Sequence, residues 1–290
     1  MSKRKQAKDD DSDEGNSSDV SLIDVDFDFF NPNPAVDYLA LKRLLIRLFQ
    51  SDADFFSLNE LAELILSQST LGTSVKTDGI ESDPYAYLSV LNMHVHQNHA
   101  SIKALAAYIL SKSAAHSALH SALQALLGPE GLQSQNHVGF VFSERLINMP
   151  VQVVPPMYRM LADEIRLANE EQNKLYTFTH YLILTRTYRL TPEQAAELEN
   201  SPQRPSKRHK NKPPAAPAPL QGTGPSTYSF HPEDEHIQKY AAYVMDYPLT
   251  SQAPREDAFG FDMGGRMMLV PADKFQTMID EMSTAYSVER

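Results

Sequence analysis

The residue types with the widest chemical reach in this chain are its histidines. His94, His96 and His99 form a His-x-His-x-x-His cluster, and His116 with His120 has the i, i+4 spacing at which two helical side chains share one ligand. Neither group has a carboxylate at a ligand spacing, so polar surface is the plainer reading and no metal is expected. Glu144, Arg145 and Asn148 make a second candidate, a compact polar site, although a helix cap or a buried hydrogen-bond network would use the same residues. No Gly-x-Gly-x-x-Gly follows a strand pattern, no phosphate loop ends in Gly-Lys-Ser/Thr, and no Gly-x-Ser-x-Gly elbow occurs. The 290 residues include no cysteine, which removes thiolate nucleophiles, disulfide frameworks and sulfur-ligated zinc, and fits a reducing compartment. The expectation is a protein that binds other proteins, not an enzyme.

Charge divides the chain into regions. The first 28 residues hold four basic and nine acidic residues, and are expected to form a disordered acidic tail. Residues 201–227 hold five basic residues and no acidic ones among many prolines, and read as a disordered basic linker. Of the net charge of -11, these two segments contribute equal and opposite parts, so the remaining body is itself at -11. Such a surface repels nucleic acid phosphates and favours basic protein partners. Two linear motifs stand out in the charged segments. Lys207, Arg208, His209, Lys210 and Lys212 form a compact basic cluster between prolines, a candidate nuclear-localisation signal for an importin groove. Ser12, set in Asp-Asp-Asp-Ser-Asp-Glu, resembles a site for an acidophilic kinase. The N-terminus lacks the apolar stretch of a secretory signal, and no apolar run reaches the length of a membrane span, so nucleus and cytoplasm are the expected compartments and no membrane insertion is expected.

The elements that must position these groups alternate in type. Tyr38, Leu41, Leu44, Leu45, Leu48 and Phe49 recur at helical spacing, and Ser57 to Glu60 has the spacing of a capping box ahead of a second helix. Tyr87–Leu91 reads as a buried strand, followed by helices around Ile102–Leu110 and Leu119–Leu126, the latter ended by Gly128-Pro129. A strand is expected at Val138–Phe142, a helix opening at Pro155-Pro156, and a long strand at Tyr176–Tyr188 with Phe178, His180 and Leu182 opposite Tyr181 and Ile183. Beyond the linker, Ala241–Tyr247 and Arg266–Val270 read as strands and Pro271–Met282 as a closing helix. The order predicts an α/β fold with at least five strands, in one domain made of residues 29–200 and 228–290.

The string Glu144, Arg145, Leu146, Ile147, Asn148, Met149, Pro150 is specific in combination, and with it the chain resembles the BCCIP family. Asp24–Phe30, Leu88–Asn92 and Tyr181–Tyr188 carry the same resemblance, which spans most of residues 24–190 and is nearest to the fungal members. What the resemblance implies is a central mixed β-sheet flanked by helices, similar to the acetyl-CoA-dependent N-acetyltransferase fold but without its cofactor turn. Gln221-Gly-Thr-Gly224 comes nearest to that turn, yet it lies in the linker, so no cofactor is expected and a divergent acyltransferase is the alternative reading. The family's roles imply a chaperone for a basic large-subunit ribosomal protein, nuclear export of a phosphatidylinositol phosphate kinase, and traffic through the importin and exportin machinery. A basic client suits the acidic body.

Overall fold

The computed structural model describes residues 26–68, 70–171, 175–190, 226–250 and 262–287. The first strand, β1 (Asp28–Phe30), leads into α1 (Pro34–Phe49). Helix α1 opens with proline in its first turn, and the side chain of Asn33 accepts the Ala35 amide, a local start signal that the sequence carries outright. Leu41, Leu44, Leu45 and Leu48 then bury one face. Helix α2 (Leu58–Leu66) follows a six-residue 3-10 segment, Gln50–Phe55. Its N-cap is Ser57, as the spacing predicts, but the serine side chain makes no capping hydrogen bond, so the capping box does not form. Strands β2 (Thr73–Lys76) and β3 (Ala86–Asn92) precede α3 (Ala100–Ser113) and α4 (Ser117–Leu127), and β4 (His137–Arg145) leads into α5 (Val154–Glu171). Strand β5 (Phe178–Leu190) closes this part of the chain. The remaining elements are β6 (Ser226–Ser229), α6 (Asp234–Tyr240), β7 (Tyr243–Pro248), β8 (Asp262–Pro271) and α7 (Ala272–Ala285).

The expected α/β class is observed, as an open mixed sheet flanked by helices. The strand order is β1-β2-β3-β4-β5-β8-β7, with β6 added to β5. Every neighbouring pair is antiparallel except β4 and β5. One face carries α1 to α4 over Tyr87, Leu91, Phe140, Phe142, Leu182 and Leu184. The other carries α5, α6 and α7 over Leu88, Val90, Val141, Ile183, Met268 and Val270. Sheets covered on both faces need apolar residues at successive positions, which is why β3 is buried along its whole length and reads as a continuous run rather than an alternation.

The parallel pair has two irregularities. At its start, His137 pairs with Phe178 but Val138 pairs with His180, so β5 contributes an extra residue. The extra residue moves Phe178 to the face of Tyr181 and Ile183, its ring 5.4 Å from Tyr181, whereas strict alternation placed it with Leu182. At the other end, pairing stops at Val141 and Ile183, while β4 continues beside β3 to Arg145 and β5 continues beside β8 to Arg189. The two strands part there, and from Thr187 onward β5 takes β6 as its neighbour on the vacated side. Strands β1, β2 and β6 and helix α6 have no counterpart in the sequence reading. They are three to seven residues long, too short for a periodicity to register.

Candidate functional site

Where β4 and β5 part, the charged residues of the Glu144–Pro150 string are put to use. Successive residues of a strand point to opposite faces, so Glu144 and Arg145 are separated by the sheet. Glu144, 2% exposed, accepts two hydrogen bonds from Arg186 on β5, from Nε at 3.0 Å and Nη2 at 2.7 Å, and lies 2.8 Å from His231 Nε2. The Arg186 guanidinium sits 3.7 Å from the centre of the Phe230 ring. On the opposite face Arg145 donates from Nε and Nη2 to the two carboxylate oxygens of Glu233, at 3.0 and 2.9 Å, and from Nη1 to the Met149 carbonyl at 2.8 Å. Arg266 on β8 makes a third fork, to Asp246 at 2.6 and 3.1 Å, and also donates to Ser229 and Gln238. Three arginines thus fasten β6 and α6, with the turn between them, onto β4, β5, β7 and β8.

The electrostatics follow from burial and pairing. Burial alone would raise the Glu144 pKa, but the charges of Arg186 and His231 outweigh it and hold the carboxyl at about 2. Burial opposes a charge on His231, and the surrounding Glu144, Glu233 and Asp234 overcome it, raising its pKa. Asp234 is the exception. Burial, with Glu233 nearby, lifts its pKa to about 7 against the pull of His231, and its Oδ2 has no hydrogen-bond partner. With its arginines and glutamates spent on one another, this network offers no exposed nucleophile. Its chemistry is that of a fastening.

The rest of the motif is divided between the core and the surface. Leu146 is half-buried between the two cores, Met149 is buried beneath α5 and Pro150 is half-buried, whereas Ile147 is 61% exposed and Asn148 is exposed too. The structure therefore unites Glu144 with Arg145 in one network through the β6–α6 turn, and leaves Asn148 out of it. The Leu146 amide donates to the Tyr85 carbonyl and the Tyr85 amide to the Val75 carbonyl, which sets the turn bearing Ile147 beside the β2–β3 turn. That turn exposes Asp78, Glu81 and Asp83 around Ile80, itself 49% exposed. Because Asp28 pairs with Lys76, Asp26 and Asp28 lie at the same end of the sheet, and both are exposed. Lys76 does not offset these charges: it is fully buried, 2.6 Å from Asp37, and donates to the Ile80 carbonyl. The outcome is an acidic surface with two apolar residues in it.

The histidines go elsewhere. His94 is buried, not polar surface: its Nδ1 accepts the Val138 amide at 3.2 Å, which leaves Nε2 to donate to the Gly131 carbonyl, and its ring stacks on His137. Burial lowers its pKa. His99 and His116 are the N-cap residues of α3 and α4, each accepting a backbone amide, so His116 precedes the helix on which a paired ligand would have to sit. His120 meets Ser113 at 3.1 Å. Among the described residues no group of three His, Asp or Glu side chains could hold a metal ion, and no helix is long and apolar enough to cross a membrane. Ser12, the basic cluster Lys207, Arg208, His209, Lys210 and Lys212, and Gln221–Gly224 lie outside the described residues.

A family model described as BCCIP matches residues 22–237, most of the chain and all of the fastening except Gln238 and its β7 and β8 residues. The chain belongs to the BCCIP family. Its fungal relatives agree: Protein bcp1 of Schizosaccharomyces pombe is 41% identical over 93% of this chain and 92% of its own length. Protein BCP1 of Yarrowia lipolytica is 38% identical over 91% and 83%. Among solved structures, the crystal structure of BCP1 from Saccharomyces cerevisiae matches with a TM-score of 0.60 at 27% identity, covering 93% of this chain and 92% of that one. The BCCIP match reaches beyond residue 190, where the motif-based resemblance stops. It takes in His231 and Glu233, partners of the motif that the sequence reading did not find, because they follow the linker and no local spacing ties them to Glu144 and Arg145. The relatives are named as proteins and not as enzymes, and no catalytic activity is indicated.

Proposed function

We propose that this BCCIP-family member is a non-catalytic escort that shields a basic client, a large-subunit ribosomal protein being the kind the family resemblance implies, and carries it between nucleus and cytoplasm. The observation that supports this most directly is the acidic end of the sheet, where Asp26, Asp28, Asp78, Glu81 and Asp83 are exposed together with Ile80 and Ile147. Acidic residues steer a basic partner and the apolar ones supply desolvated contact once it arrives. Nuclear export of a phosphatidylinositol phosphate kinase, import through residues 207–212 and phosphorylation at Ser12 belong to the same proposal. Titrating a purified basic large-subunit ribosomal protein into the full chain tests it. Equimolar binding that weakens roughly tenfold or more between low and physiological salt supports the escort reading. No binding at low salt removes it.

The mixed sheet flanked by helices is in keeping with the N-acetyltransferase-like fold that the family resemblance implies, and its one parallel pair, β4 and β5, parts along its length. Against an acyl-CoA site stands what occupies the opening: β6, the Phe230 ring, His231 and the Glu144–Arg186 pair. Calorimetry with acetyl-CoA separates the readings, with no heat of binding expected and a stoichiometric micromolar signal favouring the acyltransferase.

A further inference from the structure

The outward face of α1 opposes in sign the body that carries it. Leu39 and Ile46, 59% and 38% exposed, lie seven residues apart on one line of the helix, with Arg43 between them and Lys42 and Arg47 on the flanks. The one acidic residue of α1, Asp37, is buried against Lys76. Arg43 reaches Asp83 at 3.4 Å, but both side chains are over 60% exposed (68% and 61%), which makes the pair weak. Helix α2 packs alongside and exposes Glu60 and Glu63, yet among the described residues no carboxylate lies within ion-pair distance of Lys42 or Arg47. Three cations on and beside a line of two large apolar side chains, in a chain of net charge -11, form a surface suited to an acidic ligand with apolar residues of its own.

We infer that this stripe binds the acidic N-terminal segment of the same chain, residues 9–25. That segment holds Asp9, Asp10, Asp11, Asp13 and Glu14 ahead of an apolar stretch at Val20-Ser-Leu-Ile23, and contains no lysine or arginine. It joins the fold at Asp26, on the sheet end from which Asp83 contacts Arg43. Extended at ~3.3 Å per residue it spans roughly 50 Å, against a stripe of about 10 Å from Leu39 to Ile46. Tethering gives it an effective concentration in the millimolar range, so weak individual contacts suffice to occupy the stripe. The inference goes beyond the escort reading and stands whether or not a basic client binds.

Carbodiimide crosslinking of the full chain, read by peptide mass spectrometry, tests it at Lys42. Crosslinks from Lys42 to the carboxylates of residues 9–14 are expected, with a yield falling at least ~fivefold at 0.5 M salt, where the screening length shrinks to a few ångströms, or with Arg43→Glu and Arg47→Glu together. A second variant leaves the folded body untouched: neutralising Asp9, Asp10, Asp11, Asp13 and Glu14 to their amides should raise the acylation rate of Lys42 about threefold, with Lys103 and Lys274 unchanged. Crosslinks from Lys42 only to Glu60 or Glu63, crosslinks only between different molecules in an isotopically mixed sample, or a Lys42 acylation rate indifferent to the tail's charge would each overturn the inference.

Discussion

The two charged regions at this end of the sheet use carboxylates in opposite ways. In the fastening, Glu144 and Glu233 are buried and each is gripped by an arginine through two hydrogen bonds. In the acidic surface, Asp78 and Glu81 are exposed and have no basic partner within ion-pair distance among the described residues. A charge taken out of water must be matched by its surroundings, so the buried set is committed to the fold. An unmatched charge left in water costs the fold little and remains free to meet a partner. Residue type does not distinguish the two regions. Burial and pairing do.

Removing one half of a buried pair should have the largest effect. Arg186→Ala leaves Glu144 without its main partner in a dry site, and should cost about 3–5 kcal/mol of stability in urea unfolding. A loss under 1 kcal/mol would place Glu144 in contact with water. The pH dependence comes next. Asp234 has a folded pKa near 7, above its ordinary 3.8, so it is protonated in the fold while the unfolded chain is not, and its contribution is lost as pH rises from about 4 through 7. His231 is raised as well, so its contribution is present below its ordinary 6.5 and lost as pH climbs past its folded value. Glu144 acts in the other direction, its contribution fading only as pH falls from 4.5 toward 2. Thermal melts should therefore show stability declining between pH 5 and pH 8, and Asp234→Asn should flatten that decline. A decline of unchanged slope in the variant would assign it to other groups.

On the exposed side, reversing Asp78 and Glu81 to lysine should weaken binding of a basic client about tenfold or more, while stability moves by no more than ~0.5 kcal/mol. Equal losses of binding and stability would erase the distinction between the regions. The smallest effect is expected at Arg166, which bridges Asp163 and Glu170 on the exposed face of α5. Arg166→Ala should cost under ~0.5 kcal/mol, so that two arginine–glutamate pairs, at Arg186 and at Arg166, differ severalfold through burial and the number of contacts each makes.

Much of this molecule is legible in its sequence. Leucines and isoleucines at helical spacing mark α1, α3 and α4, the Pro155-Pro156 pair lies at the start of α5, β3 and β4 stand out as apolar runs, and β5 shows as an alternation. What stays hidden has physical reasons. The shift at Phe178 follows from how two strands pair, and neither strand carries a local sign of it. The capping-box spacing at Ser57 is present, but spacing cannot report whether the hydroxyl turns to its amide. The Glu144–Pro150 string can be recognised as a unit, yet its division into buried Glu144, Arg145 and Met149 and exposed Ile147 and Asn148 depends on partners 42 to 88 residues away, Arg186 and Glu233. The acidic surface is foreshadowed by net charge alone. Its location needs the hydrogen bonds that set the β2–β3 turn beside Leu146.

Amide hydrogen exchange on the full chain, with and without a saturating basic large-subunit ribosomal protein, shows whether a client docks on the acidic end of the sheet. Client-dependent protection should concentrate in residues 77–85 and 146–150, with the strands of the fastening unchanged. Protection confined to α5 and α7, on the face of the sheet opposite α1, would contradict the account.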